Sequence, residues 1–430
     1  MLGTYKIETE VVSGTGKHIC TGIGSTREAR EAADTAYRYL KANSKPISGM
    51  ISTTTKDFML HVQDLNDNYA ASPMLVDIAR DFSIDIGTAA LSVAAYMLPF
   101  GLFTLLFGPL GDRYGKAKII SIAAFGTAIF SCLGALAFDI TSLALVRAAN
   151  GALAAAILPV TVSYVGDLFE EPQKRMNAIG SVVGMYFLGA AAATAIGGGL
   201  SFFGSWRLVY LAYGVAELII AFLMLKYLTF APGTAKTIGL RQAYANAFAE
   251  PYLLKTVVLL LLVGFAVFGS FTYLGDFLVN MTGFNIFHVG LIMTPFGLAA
   301  YIGGQKVGDI RQKLGPRIML LAGILGMIAW APLGQWPGLY YIFPILLVFG
   351  FAFVLLQSTI VTTAQQQLPK QRGVAMSLAS FNMFIGGGLG VLINKHLLAC
   401  WGYALIFLIA SLAILIAGLL AYRLLLVARP

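Results

Sequence analysis

Long apolar runs separated by short polar loops dominate the chain from Gly87 onward. They lie near 87–107, 119–138, 141–163, 177–201, 207–228, 256–280, 289–308, 318–336, 339–363, 374–396 and 402–426. Runs of about 18 or more residues, at a helical rise of 1.5 Å per residue, cross a hydrocarbon core of about 30 Å. A weaker run at 58–79 brings the expected number of spans to twelve. Upstream, residues 1–55 are polar. Tyr5–Val12 alternates as a short strand does, and Ser25–Asn43 carries a helical stripe of Ala29, Ala32, Ala33, Ala36, Tyr37 and Leu40. Fewer than about 60 residues make a marginal core, so this stretch reads as a cytosolic extension, accessory or non-native.

The basic residues orient the spans. Arg113, Lys116 and Lys118 follow the first clear run, and Lys174 and Arg175 follow the third. Lys236, Arg241 and Lys255 follow the fifth, and Arg311, Lys313 and Arg317, then Lys370 and Arg372, then Arg423 and Arg429 continue the series. The opposite boundaries hold little beyond Arg207 and Lys395. The basic side is therefore cytoplasmic. A long loop at 229–255 divides two similar halves, 56–228 and 256–430, an internal repeat typical of secondary transporters.

Of 430 residues, 58% are hydrophobic and 11% charged, against roughly 25% charged in a soluble domain. The net charge of +9 is spread over loops instead of forming a basic groove, which argues against a nucleic-acid partner. The three cysteines, Cys20, Cys132 and Cys400, fit no metal or redox spacing. Ser13–Lys17 is glycine-rich but lacks phosphate-loop spacing, and residues 1–50 lack the apolar stretch of a cleavable signal. No convergent nucleophile–base set stands out. The expectation is a non-enzymatic membrane protein with no cofactor and no metal.

The first basic loop reads Gly108-Pro109-Leu110-Gly111-Asp112-Arg113-Tyr114-Gly115-Lys116-Ala117-Lys118. It resembles the loop signature of the major facilitator superfamily, at the family's own place after the second span. Glycines allow a tight turn and close helix approach. Asp112 can accept from helix-end amides, and Arg113 can pair with a carboxylate, for which Asp167 is the candidate. The second half carries a decayed copy, Gly308 to Arg317, with Gln312 at the acidic position. Arg147-Ala148-Ala149-Asn150-Gly151 resembles the family's Arg-x-x-Gln-Gly motif, with Asn150 for Gln. The resemblance associates Arg147 with proton coupling. The alternative is an arginine that snorkels to the membrane surface. Gly180, Gly184, Gly189 and Gly197-Gly198-Gly199 resemble the glycine-rich fifth helix of the drug:proton antiporters, although Thr194-Ala195 stands where Gly-Pro belongs. The resemblance covers about 65–428. It implies an all-α bundle of two six-helix halves, alternating access, and a small-molecule substrate and protons exchanged across the cytoplasmic (inner) membrane.

The first helix is atypically polar. Lys56, Asp57, His61, Gln63, Asp64, Asn66, Asp67 and Asn68 crowd a stretch that should be apolar. It is either held inside the bundle lining a cavity, or half-formed at the interface, or joined to the wrong upstream sequence. In the first case Asp67 is the candidate proton carrier, since a carboxyl in a low-dielectric cavity can bind and release a proton near neutral pH. Asp64, Glu217, Gln357 and Asn382 are cavity candidates, with helix–helix hydrogen bonding as the alternative. Tyr96, Phe100, Tyr186, Phe271 and Phe381 can give a cavity aromatic surface. Asp276, near an outer end, reads as solvated. The function expected is proton-coupled efflux of a small amphipathic compound. Uptake or exchange of a polar solute or metal chelate is one alternative, and a non-transporting sensor or scaffold is another.

Overall fold

A computed structural model describes residues 5–13, 16–24, 66–168, 172–228, 240–334, 339–368 and 371–427. The chain divides into two compact units, Met1–Asp57 and Phe58–Pro430. In the first, β1 (Tyr5–Ser13) pairs antiparallel with β2 (Gly16–Gly24), Ser13 opposite Gly16. The strand expected over 5–12 is present. Its partner goes beyond the sequence reading, because Gly16, Gly22 and Gly24 blur the alternation. The helix expected over 25–43 lies outside the described residues.

Among its described residues the second unit is helical. Its elements are α1 (Asn66–Asp81), α2 (Ile86–Ala89), α3 (Leu91–Tyr114), α4 (Lys116–Gly134), α5 (Ile140–Ala154), α6 (Ile157–Leu168) and α7 (Pro172–Phe203). They continue as α8 (Trp206–Tyr227), α9 (Leu240–Phe248), α10 (Pro251–Thr282), α11 (Ile286–Leu314), α12 (Arg317–Trp330), α13 (Leu339–Gln367) and α14 (Arg372–Val427). The second crossing is α2 with α3, and the fourth is α5 with α6. α14 is two crossings that meet at Gly402, whose φ of 74° breaks the helix. Six crossings precede α9 and six follow it. Eight helical segments among the described residues are long and apolar enough to cross a membrane.

Local chemistry sets the helix starts. Asp85, Asp139, Ser205 and Asn285 cap α2, α5, α8 and α11, each accepting from a backbone amide two or three residues on. All four caps lie on the side opposite the basic loops. Two boundaries differ from the sequence reading. The loop expected over 229–255 contains α9, and α10 already begins at Pro251, because proline suits the first helical turn. α12 stops at Trp330 instead of 336.

The halves meet along three pairs of helices. α1 lies on α10, where the Ser72 hydroxyl donates to the Phe271 carbonyl (2.8 Å). α3 lies on α14, and α7 on α11. Within the second half α10 and α14 approach backbone to backbone. A Cβ at Gly264 would overlap the Met383 carbonyl oxygen, and one at Gly386 the Leu261 carbonyl oxygen. Such contact replaces the hydrophobic drive that helices lack inside lipid. Leu102, Ile129, Phe222 and Ile328 point outward and are exposed, as a bilayer solvent permits. Asp276 departs from the expectation of solvation. It is only 9% exposed, and it accepts from the Tyr403 hydroxyl across α10 and α14.

Candidate functional site

The capping box of Asp139 and Ser142 starts α5 and places Arg147 two turns inside the membrane. Arg147 is 1% exposed, so it does not snorkel. Its guanidinium lies over the Tyr96 ring at 4.4 Å and 5.7 Å from the Tyr210 ring. Gly151, one turn along, explains the spacing of the motif. A Cβ there would overlap the Tyr96 carbonyl oxygen. The glycine lets α3 come close enough to seat Tyr96 under the guanidinium.

Asn150, on the same stretch, ties three helices together. Its amide donates to the Thr127 carbonyl (3.1 Å) and to the Ser131 hydroxyl (2.9 Å) on α4. Ser131 in turn donates to Glu217 Oε2 on α8 (3.1 Å). Glu217 is 2% exposed. The acid therefore sits in a polar seam inside the first half, between α4, α5 and α8. Ser131 and Thr127 escaped the sequence reading, since serine and threonine occur throughout membrane helices and carry no spacing signal.

An aromatic chain starts at Tyr96 and crosses to the second half. Tyr96 meets Phe100 at 5.8 Å between centroids, and Phe100 stacks on Phe384 of α14 at 3.8 Å. Phe268 follows at 5.5 Å, then Phe353 at 6.1 Å, Phe296 at 5.9 Å and Phe271 at 4.8 Å. Tyr96, Phe100 and Phe271 were candidates from sequence. Phe384, three residues beyond Phe381, makes the bridging stack. Tyr186 is also buried, while Asn382 turns its amide back to the Leu378 carbonyl (2.8 Å) and Gln357 lies half-buried on α13.

In the first basic loop, Gly115 adopts φ 98°, a left-handed value that favours glycine and makes the turn from α3 into α4. A Cβ at Gly108 would come within 3.0 Å of the Ser377 hydroxyl on α14, so this glycine lies at the junction of the halves. In the decayed copy Gly315 caps α11 at φ 55°, but Gly308 faces open space. Arg113 is exposed and lies 5.2 Å from the Tyr114 ring, and Lys116 is half-buried. Asp64 lies outside the described residues. Asp67, Asp112, Asp167 and Gly184 fall in α1, α3, α6 and α7 at positions whose side chains lie outside them too. On α7 a Cβ at Gly198 would press on the Ile286 carbonyl (2.6 Å), whereas one at Gly199 would make only ordinary contact with the Phe287 ring (3.4 Å), and Gly189 is half-buried.

Further polar contacts lie at both ends of the bundle. On the side opposite the basic loops Lys395 Nζ donates to Thr88 Oγ1 (3.0 Å) and joins the two halves. Nearby Asp81 accepts from Arg207 and from Trp206 Nε1 (3.2 Å). The Arg207 hydrogen bond holds the Asp81 carboxyl below its ordinary range. On the side of the basic loops Tyr244 of α9 donates to the Leu105 carbonyl (2.6 Å). Burial pushes its phenol up to about 12, so it remains a donor at physiological pH. A stripe of Leu240, Tyr244, Ala247 and Phe248 in the loop sequence was the signal for this helix.

The Major Facilitator Superfamily profile matches residues 60–391. This chain belongs to that superfamily. It is a multi-pass membrane transporter that takes a small-molecule substrate, and not an enzyme. The puromycin resistance protein pur8 of Streptomyces alboniger is 25% identical over 389 residues, covering 76% of this transporter and 77% of that protein. A bacterial homologue of the human lysosomal transporter Spinster shares the fold, with a TM-score of 0.63 at 19% identity over 90% of this chain and 96% of that one. A separate match of 66 residues, 62% identical, is to the Lon-like protease BrxL of Bacillus cereus. It spans 15% of this chain and only 10% of that protein.

Proposed function

We propose that this transporter exports a small amphipathic compound across the cytoplasmic membrane in exchange for protons. The observation that carries the reading is Arg147, buried over Tyr96 at the head of an aromatic chain that runs from one half into the other. A cation in the membrane interior is retained where it serves an ion or substrate path. Ring faces suit a flat, partly apolar substrate better than a sugar or a metal chelate. The pur8 relative is a puromycin resistance protein, which agrees with export. In this reading Asp67 and Arg147 couple the proton. The loop of Gly108, Asp112, Arg113, Gly115 and Lys116, with Asp167, governs opening on the cytoplasmic side.

Energised everted membrane vesicles test it. A pH-sensitive dye reports ΔpH while lipophilic cations, neutral drugs, sugars and metal chelates are added. The expected result is collapse of ΔpH by an amphipathic class with the wild-type protein, and none with Asp67→Asn or Arg147→Ala at equal protein level. Unchanged ΔpH-driven transport in Asp67→Asn removes that residue from the mechanism.

A further inference from the structure

Pro109 stands inside α3 and has no backbone N–H to give. In an α-helix that N–H would go to the carbonyl four residues earlier. The Leu105 carbonyl therefore cannot be satisfied by the ordinary bond of its own helix. A backbone carbonyl shielded from water needs a donor. Here the donor comes from another segment, the Tyr244 hydroxyl of α9 at 2.6 Å.

α9 goes with the second half. Only Ala249 and Glu250 separate it from α10, and their amides donate to the Ala245 and Ala247 carbonyls (3.0 and 3.2 Å), so the link is stiff. α9 packs on α10 and α14, and Ala247 is fully buried. Leu105 belongs to the first half. The Tyr244 hydrogen bond thus crosses between the halves on the side of the basic loops. Gly108 lies three residues after Leu105 on α3, hence on the same face, and rests against Ser377 of α14. The Ser377 hydroxyl is buried and near enough to act on the Tyr244 phenol, without ordinary hydrogen-bond geometry. Leu105, Gly108, Tyr244 and Ser377 gather at one point of the seam.

We infer that α9 is a latch between the two halves, with Tyr244 as the positioning residue that ties it to the Leu105 carbonyl released by Pro109. While the bond holds, α3 and α14 stay together at this end. When the halves part, entering water takes the place of Tyr244 at the carbonyl, and no bond within a helix has to break. A neutral hydrogen bond exchanged for one to water has a small net worth, so the latch biases the opening without blocking it. The inference adds a second element to the loop assigned to opening on this side, and it depends on neither export nor protons.

The test is labelling of the full chain, without Cys20, Cys132 and Cys400, by a membrane-impermeant maleimide added to each side of lipid vesicles. Ser380→Cys, buried on α14 one turn beyond Ser377, reports the side of the basic loops. Thr88→Cys reports the opposite side. Tyr244→Phe removes the donor and keeps the ring. It should raise the labelling rate of Ser380→Cys about fivefold, the population shift that one neutral hydrogen bond supplies, and lower that of Thr88→Cys. A merely loosened fold raises both rates. That outcome, or unchanged rates on both sides, overturns the inference. Pro109→Ala gives α3 its own N–H for Leu105. In that background Tyr244→Phe should change labelling by less than about twofold, and a full fivefold change there also overturns the inference. Labelling needs neither substrate nor a proton gradient. Absence of ΔpH coupling therefore removes the export reading alone, and unmoved labelling removes the latch alone.

Discussion

At the scale of single residues, Arg147 over Tyr96 is the contact on which the proposed function turns. A guanidinium over a ring is worth roughly 2 kcal/mol when water is excluded, and here both groups are buried with the guanidinium 4.4 Å from the ring. Tyr96→Leu removes the ring and should lower ΔpH-driven transport by about 30-fold, since each 1.4 kcal/mol is a factor of about ten. Tyr96→Phe keeps the ring face and should lose less. Initial rates in everted vesicles compare them, and equal rates for Leu and wild type would refute the role of the stack. Arg147 was legible in the sequence because an arginine within an apolar run is rare. Its partner ring was not, since Tyr96 sits about 50 residues upstream on another helix.

At the scale of elements, close helix approach decides the geometry. Gly151 shows it best, because a methyl group there meets the Tyr96 backbone, which cannot rotate away. Overpacking of this kind costs about 1–3 kcal/mol. Gly151→Ala should therefore lower the Tm of the detergent-solubilised protein and weaken transport as α3 is pushed off α5. Gly308→Ala is the control. Open space surrounds that glycine, so its effect should stay within about 0.5 kcal/mol. A scanning-fluorimetry Tm separates the two. Similar melting of both variants would show that the α3–α5 contact is not tight. The second motif copy keeps this glycine but not its contact: Gly308 faces no neighbour, whereas Gly108 lies against Ser377 of the opposite half.

At the scale of the molecule, ties between the halves matter more than any one helix. Thr88 and Lys395 belong to opposite halves and meet where α2 lies beside the first crossing of α14, on the side opposite the basic loops. In a variant without Cys20, Cys132 and Cys400, the pair Gly87→Cys and Lys395→Cys should oxidise to a bridge, since a Cβ at Gly87 would lie 3.5 Å from the Lys395 Cβ. Oxidation should stop transport and reduction should restore it, if the halves part there during the cycle. Full transport by the oxidised protein would place the moving contact elsewhere. The neighbouring Asp81–Arg207 pair works through pH in a defined direction. Its carboxyl lies below the ordinary range, so the pair holds at neutral pH and is lost only as pH falls through that depressed value.

By itself the sequence determined the membrane class, most of the helices and the superfamily. These depend on composition and period along one helix, which the chain carries locally. Asp139 and Ser205 as caps, Gly115 as a turn and Arg147 as an intramembrane cation belong to the same local chemistry. Only the tertiary structure decided which groups meet. It joined Glu217 to Ser131 and Asn150 across three helices, chose Phe384 for the stack on Phe100, buried Asp276 beneath Tyr403 and turned the loop helix α9 so that Tyr244 reaches Leu105. The reason is physical. A helix sets which of its own residues share a face, but the rotation and closeness of its neighbours come from glycine contacts and polar bonds between segments far apart in the chain, and no local pattern records those.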